Sequence, residues 1–472
     1  MSSKSKIQEY DLKYIWHPFT QMKEYQEQSP IVIEDSDGVY LIDSDGKKYI
    51  DGVSSLWVNI HGHKSKEINN AIKQQIDKIA HSTLLGITNP SASILAKKLI
   101  DLSPDGLQKV FYSGDGASAV EVGIKMAFQY WMLKGKREKN KFVCLKDGYH
   151  GDTLGAVSVG GIDIFHSTFN PLLFESIKIS SYDSTSKVLD DLRKLLMKDA
   201  SQIAALILEP YVQAAGGMKV AEDGYLKEIR ALCDEYDILL ILDEVATGFG
   251  RTGKMFACEH DNITPDILIL GKGLTGGYLP LSATITTQNI FDAFLGDYDE
   301  LKTFFHGHSY SGNPLSCAAA IANLEIFEKN NTLLKLQNKI QLFENELQEF
   351  NGLKSVSEIR NKGLMAGIDL IKNKTTGEKF SLKERMGKKV CDSALKEGIL
   401  LRPLGDTIVL MPPISINNSE IKKLTKATYK AIKDVTAVSY KHLRANETKE
   451  NLVFRLLLEK KKVGGGGGGG GG

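Results

Sequence analysis

Cysteine is scarce in this chain. Cys144, Cys233, Cys258, Cys317 and Cys391 are odd in number, widely spaced and without a CxxC pair, which argues against a disulfide framework or a cysteine zinc site and fits a reducing compartment. Charge of one sign is not in excess either. Lys plus Arg number 59 against 58 Asp plus Glu, so the chain has no field that would steer it to nucleic acid or an anionic membrane surface. No apolar run approaches the roughly 20 residues that span a bilayer, and Met1 to Tyr10 lacks the apolar core of a signal peptide. These absences leave a cytoplasmic protein acting on small molecules as the expectation. A 42% hydrophobic, 25% charged composition over 472 residues is enough for two or three domains around a large core.

The first 60 residues alternate short β-type runs with turn signals, as in the Asp-Gly pairs ending at Gly38 and Gly46, and predict a small meander. From about Ile68 helical segments alternate with short apolar strands at Lys109–Tyr112, Phe142–Leu145, Ile203–Leu208, Ile238–Leu242 and Ile267–Leu270. Strands apolar on both faces and separated by helix-length segments predict an α/β fold with a mostly parallel sheet covered on both sides. Helices are expected at Ser316–Asn330 and Thr332–Phe350, then strands at Gly363–Leu370 and Ile408–Met411 of a smaller α+β domain. The expected division is an N-terminal segment 1–60 contributing to a small domain, a large domain 61–325, and the C-terminal part of the small domain 326–438. Residues 439–472, a basic stretch ending in nine glycines, read as a flexible, non-native-looking tail without a part in the chemistry.

Three motifs stand at strand exits. Asp243 opens the run DEVATGFGRTG directly after an apolar strand, where ligands of open α/β sheets bind. There it could pair with a protonated ring nitrogen, or it and Glu244 could cap a helix or form an ion pair. Lys272, 29 residues on, lies in GKGLTGG after the next strand. Its flanking glycines leave it room to reach a crevice, where desolvation would make the amine nucleophilic. Gly114-Asp-Gly-Ala-Ser-Ala119 precedes a helix running to about Lys134, so Gly116, Ala117 and Ser118 form a candidate phosphate cradle at a helix amino terminus. The same run satisfies a relaxed dinucleotide fingerprint, but no strand-ending acid follows about 20 residues on, which speaks against a nicotinamide enzyme. Tyr149 could stack on a flat ring, while His150 and Asp152 beside it are left without a role. His61/His63 and His306/His308 have no carboxylate or thiol at metal spacing in the sequence, so no metal is expected.

Together these residues resemble the class III, fold-type I pyridoxal-phosphate aminotransferases over about residues 10 to 437. The strings WHPFTQM (16–22), SSLWVNIHG (54–62) and HGHSYSGNP (306–314) are similar, within that class, to the diaminononanoate synthases of biotin biosynthesis. The resemblance implies a large domain with a mainly parallel seven-stranded sheet, a smaller domain from both chain ends, and a homodimer with the active site at the interface. By it, Lys272 would carry pyridoxal 5'-phosphate as a Schiff base, Asp243 would hold the ring nitrogen and Tyr149 would stack on the ring. Glu209 would lie near the ring hydroxyl. Ser309 would reach the phosphate from the second subunit. Arg402 would take the substrate carboxylate, with Phe19, Trp57 and Gly307 also facing substrate. The implied reaction moves an amino group from S-adenosylmethionine or lysine to 8-amino-7-oxononanoate. The donor is left open by Leu56-Trp57 and Phe19, since members using S-adenosylmethionine commonly carry paired tryptophans and a tyrosine there. The rival expectations are an ω-amino-acid aminotransferase of the same class, a silent cofactor-binding protein and a nicotinamide-dependent oxidoreductase.

Overall fold

The computed structural model describes residues 3–437; the tail reading over 439–472 falls outside them. At its centre, strand Ile203–Leu208 is buried at all six positions and strand Leu239–Asp243 at all five. Residues this apolar on both faces can pair only in the middle of a covered sheet. The sheet has seven strands, in the order Leu107–Ser113, Ser282–Thr287, Ile267–Leu270, Leu239–Asp243, Ile203–Leu208, Lys141–Leu145 and Ile177–Ile179. All neighbours pair in parallel except Ser282–Thr287, which is antiparallel to both of its partners.

The expected strands are present with boundaries shifted by at most three residues. Asp243 is the last residue of its strand rather than the first beyond it. The sequence reading passed over Ser282–Thr287 and Ile177–Ile179. The former, SATITT, carries hydroxyls that resemble a turn cluster, yet Thr284 and Thr286 donate to the Ala119 and Asp266 carbonyls at 2.9 and 3.0 Å and so bury without an unpaired hydroxyl.

The N-terminal meander, Ile33–Asp37, Tyr40–Asp43 and Lys48–Asp51, is antiparallel. Strand Ile399–Leu400 adds to it in parallel, so residues from the two ends of the chain share one sheet. A second small sheet runs Val356–Lys362, Met365–Leu370, Thr407–Leu410, Pro403–Leu404. Helix Pro314–Lys329 packs on Lys66–Ile76 and Pro90–Leu102, and a last helix covers 418–437. No helix among the described residues is long and apolar enough to cross a membrane.

Candidate active site

The carboxyl ends of the central strands open into a cavity of about 780 Å³. Its lining includes Phe19, Trp57, Gly116, Ala117, Tyr149, Glu209, Asp243, Lys272 and Arg402, positions scattered over most of the sequence. Adjacent parallel strands bring the exits together: Asp243 is in register with Ile269, three residues before Lys272, and Glu209 follows the neighbouring strand Ile203–Leu208.

Asp243 is buried and fully partnered on one side. Its Oδ1 accepts the Val245 N–H at 3.0 Å, and its Oδ2 lies 2.7 Å from His150 Nδ1. A buried carboxylate in that position accepts, so the proton sits on Nδ1, leaving His150 Nε2 buried with no hydrogen-bond partner. Of Asp243's two sequence readings, cap or ion pair and ring-nitrogen partner, the geometry places the carboxylate in the cavity wall. Glu244 takes the capping role instead, accepting from the Ala257 and Cys258 N–H groups at 2.6 and 2.8 Å and from Thr247 Oγ1 at 3.1 Å.

Glu209 accepts the Tyr149 N–H at 3.0 Å and the Ala214 N–H at 3.0 Å. Burial nevertheless pushes its carboxyl up to about 7, with His150 opposing the shift. Lys272, in a left-handed conformation at φ 40° between two glycines, holds its Nζ 5.2 Å from the centre of the Trp57 ring. Desolvation lowers the pKa of that amine, against the pull of Asp243 and Glu209, which raises the fraction able to act as a nucleophile.

The backbone is closely packed at Gly116 and Gly151. A Cβ on Gly116 would come within 2.8 Å of Val245 Cγ1, and one on Gly151, at φ +116°, within 2.3 Å of the Ala117 Cβ. These close approaches bring the Tyr149–Asp152 segment over the start of helix Gly116–Leu133. Asp115 caps that helix, accepting the Ser118 N–H at 2.9 Å and the Ser118 hydroxyl at 3.0 Å. Gly116 and Ala117 line the cavity, while Ser118 is tied to its cap. Tyr149 donates its hydroxyl to Asp152 Oδ2 at 2.7 Å, and burial raises its pKa.

At the mouth, the Arg402 guanidinium stands 5.7 Å over the Phe19 ring, and Phe19 meets Phe165 edge-on at 5.5 Å. Leu56 and Trp57 sit on four consecutive left-handed residues, Ser54 to Trp57, with φ of 51, 49, 69 and 70°. Each such non-glycine residue costs about 1–2 kcal/mol, and nothing in the string Ser-Ser-Leu-Trp signals it. Gly307 and Ser309 lie outside this lining, in an exposed loop. Sequence reasoning also missed His150, whose partner is 93 residues away, Phe165, and His63, which faces Asp51. Among the described residues no group of three or more His, Cys, Asp or Glu is placed to hold a metal.

A buried acid opposite a desolvated lysine, a small-residue cradle at a helix start and a flanking tyrosine fit a flat, phosphate-bearing pyridine aldehyde. The class is that of α/β enzymes with such a cofactor on a mainly parallel sheet. The aminotransferase class-III family model matches residues 21–432, and the chain belongs to that family, whose members depend on pyridoxal phosphate. A relative from Geobacter sulfurreducens, the adenosylmethionine-8-amino-7-oxononanoate aminotransferase, is 50% identical over 443 residues, covering 91% of this chain and 98% of its own. The crystal structure of the protein of that name from Methanocaldococcus jannaschii superposes with a TM-score of 0.90 at 49% identity, covering 91% of this chain and 99% of that one. The omega transaminase from Pseudomonas jessenii, solved in complex with PMP, has a TM-score of 0.87 at 30% identity, covering 91% and 98%.

Proposed function

We propose that this enzyme transfers an amino group to 8-amino-7-oxononanoate, giving 7,8-diaminononanoate for biotin synthesis, with S-adenosylmethionine or lysine as donor. The observation that carries the reading is one cavity with the desolvated Lys272 amine and Asp243 at its floor, apolar Phe19, Leu56 and Trp57 on its walls and the Arg402 guanidinium at its mouth. Such a space suits a substrate whose reacting carbon and carboxylate are separated by an aliphatic chain. The likeness to the Geobacter and Methanocaldococcus enzymes over nine-tenths of the chain supports the same substrate.

In this reading Lys272 would hold the cofactor by its aldehyde carbon, Asp243 would partner the ring nitrogen, Tyr149 would cover the ring, Glu209 would lie near its hydroxyl, and Gly116, Ala117 and Ser118 would hold the phosphate. The bound cofactor supplies an electron sink for the amine-bearing carbon. Lys272 Nζ takes the proton from that carbon of the donor and later delivers one to the acceptor carbon. His150 holds the Asp243 carboxylate in place by donating from Nδ1. Arg402 would hold the acceptor carboxylate, with Phe19 and Trp57 closing around the chain and Gly307 contributed by a second copy. A second copy would complete the site: Trp16, Phe305 and Tyr310 are large exposed hydrophobics that a partner would cover, and the loop with Gly307 and Ser309 would reach the partner's phosphate. Balanced charge and five free, buried cysteines suit a cytoplasmic enzyme.

The test is incubation of the purified enzyme with 8-amino-7-oxononanoate and each donor in turn, with mass detection of 7,8-diaminononanoate. Formation with one donor supports the reading and names the donor. Amino transfer to 2-oxoglutarate with none to the oxononanoate would assign an ω-amino-acid aminotransferase instead.

A further inference from the structure

The left-handed turn Ser54–Trp57 closes its own hydrogen bonds, Trp57 N–H to the Val53 carbonyl at 2.7 Å and Val58 N–H to the Ser54 carbonyl at 3.0 Å. Residues in this conformation persist only where their surroundings over-determine it. Ser54 is held by its hydroxyl, which donates to the Met411 carbonyl at 2.6 Å and accepts from Arg251 at 3.2 Å, and Asp51 holds the next residue. Its carboxylate is wholly buried and joins the turn to a histidine beyond it: Oδ1 accepts the Ser55 N–H at 2.8 Å, Oδ2 accepts the Ser55 hydroxyl at 2.6 Å, and His63 Nε2 lies 3.0 Å from Oδ2. The histidine is itself oriented. The Gly62 N–H donates to Asn59 Oδ1 at 2.7 Å, which turns the Asn59 NH₂ toward His63 Nδ1 at 3.2 Å. Nδ1 therefore accepts, and Nε2 carries the proton that Asp51 receives.

The same residue is tied to the opposite wall. Asp51 is in parallel register with Leu400, two residues before Arg402, and the next N–H, of Gly52, donates to the Leu400 carbonyl at 3.0 Å. A side chain added at Gly52 would strike Leu401 Cδ2 at 2.6 Å, so the two segments lie backbone to backbone. One short stretch thus fixes the Leu56–Trp57 wall through the Asp51 carboxylate and the approach to Arg402 through its main chain.

We infer that Asp51 is a positioning residue that sets the span between the Leu56–Trp57 wall and Arg402, and through it the chain length of the carboxylic acid the cavity accepts. This rests on Arg402 as the carboxylate partner in the reading above. The holoenzyme and its Asp51→Asn and Ser55→Gly variants are assayed with 8-amino-7-oxononanoate and with its homologues one methylene shorter and longer. Asp51→Asn breaks a charge-assisted contact to the turn and is expected to raise KM for the nine-carbon acid roughly tenfold and to erase most of the preference among the three acids. The near-visible absorbance of the lysine-bound cofactor and the rate of the donor half-reaction stay near wild type, which a general loss of structure would not allow. Ser55→Gly adopts the left-handed conformation without strain and so keeps the fold, but removes the hydroxyl contact. It shows the same loss of preference to a smaller degree, and decides the matter if Asp51→Asn does not fold. Unchanged discrimination in active variants, or a parallel fall in cofactor absorbance and donor rate, overturns the inference alone. A wild-type enzyme inactive on the nine-carbon acid overturns the substrate reading, and this inference with it.

Discussion

At the floor of the cavity, Asp243, Glu209 and His150 are buried at the ends of sheet strands or the loop beside them, and each is fixed by hydrogen bonds of 2.7 to 3.0 Å. At its mouth, Phe19 and Leu56 are 57% and 45% exposed and sit on left-handed backbone, held by ring contacts and by a network around Asp51. The floor is rigid because the sheet dictates where the strand exits lie. The mouth is adjustable because its side chains ride on loops whose shape is imposed by a few contacts. On the proposed function, the floor would carry the amino transfer and the mouth the choice of substrate.

Substitutions at the floor should therefore lower turnover with every substrate, while those at the mouth should move KM for some. The largest effect is expected for Lys272→Ala, a fall in kcat of at least about 10⁴-fold from loss of the proton-transferring amine, read by steady-state assay with either donor. Asp243→Asn follows, with kcat down about 10³-fold because His150 loses its charged partner and the site its buried anion, checked alongside cofactor retention after gel filtration. Arg402→Met, at the mouth, should raise KM for the oxononanoate about a hundredfold from loss of charged hydrogen bonds, and leave the donor half-reaction near wild type in stopped-flow absorbance. Equal losses in both halves would erase the distinction drawn between floor and mouth.

How much of this was legible in the sequence follows the same division. The strands that end at Leu208, Asp243 and Leu270 are apolar throughout, and the acid, the lysine and the glycines at their exits are local signals, so the floor could be read from adjacent residues. His150 could not, because it lies in a loop and its partner ends a strand 93 residues away. Ser282–Thr287 was hidden by hydroxyls that the fold satisfies with backbone carbonyls. The mouth was legible mainly through resemblance. A left-handed turn built from Ser, Ser, Leu and Trp contradicts local preference, and the distant contacts that hold it, Asp51 on Ser55 and Met411 and Arg251 on Ser54, are invisible as such in the sequence. Ser118's tie to Asp115 likewise follows from the helix cap rather than from the glycine pattern.

The smallest expected effect concerns stability. Burial raises the Glu209 carboxyl from 4.5 to about 7, so the folded cofactor-free protein retains a proton that the unfolded chain has given up. The stability from this group is fully present below about pH 4.5 and is lost as pH rises through about 7. Glu244, raised by burial to about 7 as well, adds the same trend. Glu209→Gln should flatten, without abolishing, the decline of the unfolding midpoint over that range, measured by differential scanning calorimetry of the cofactor-free protein. A slope identical to wild type would mean that Glu209 stays ionised in the fold.

The most direct test is the near-visible spectrum of the pyridoxal-phosphate-saturated enzyme and its Lys272→Ala variant before and after adding a donor, then 8-amino-7-oxononanoate. The account predicts a lysine-dependent band in wild type that the donor removes and the oxononanoate restores, with no such band in the variant. A band that persists in Lys272→Ala, or one that no donor discharges in wild type, would contradict the assignment of Lys272 as the residue that holds the cofactor and moves the proton.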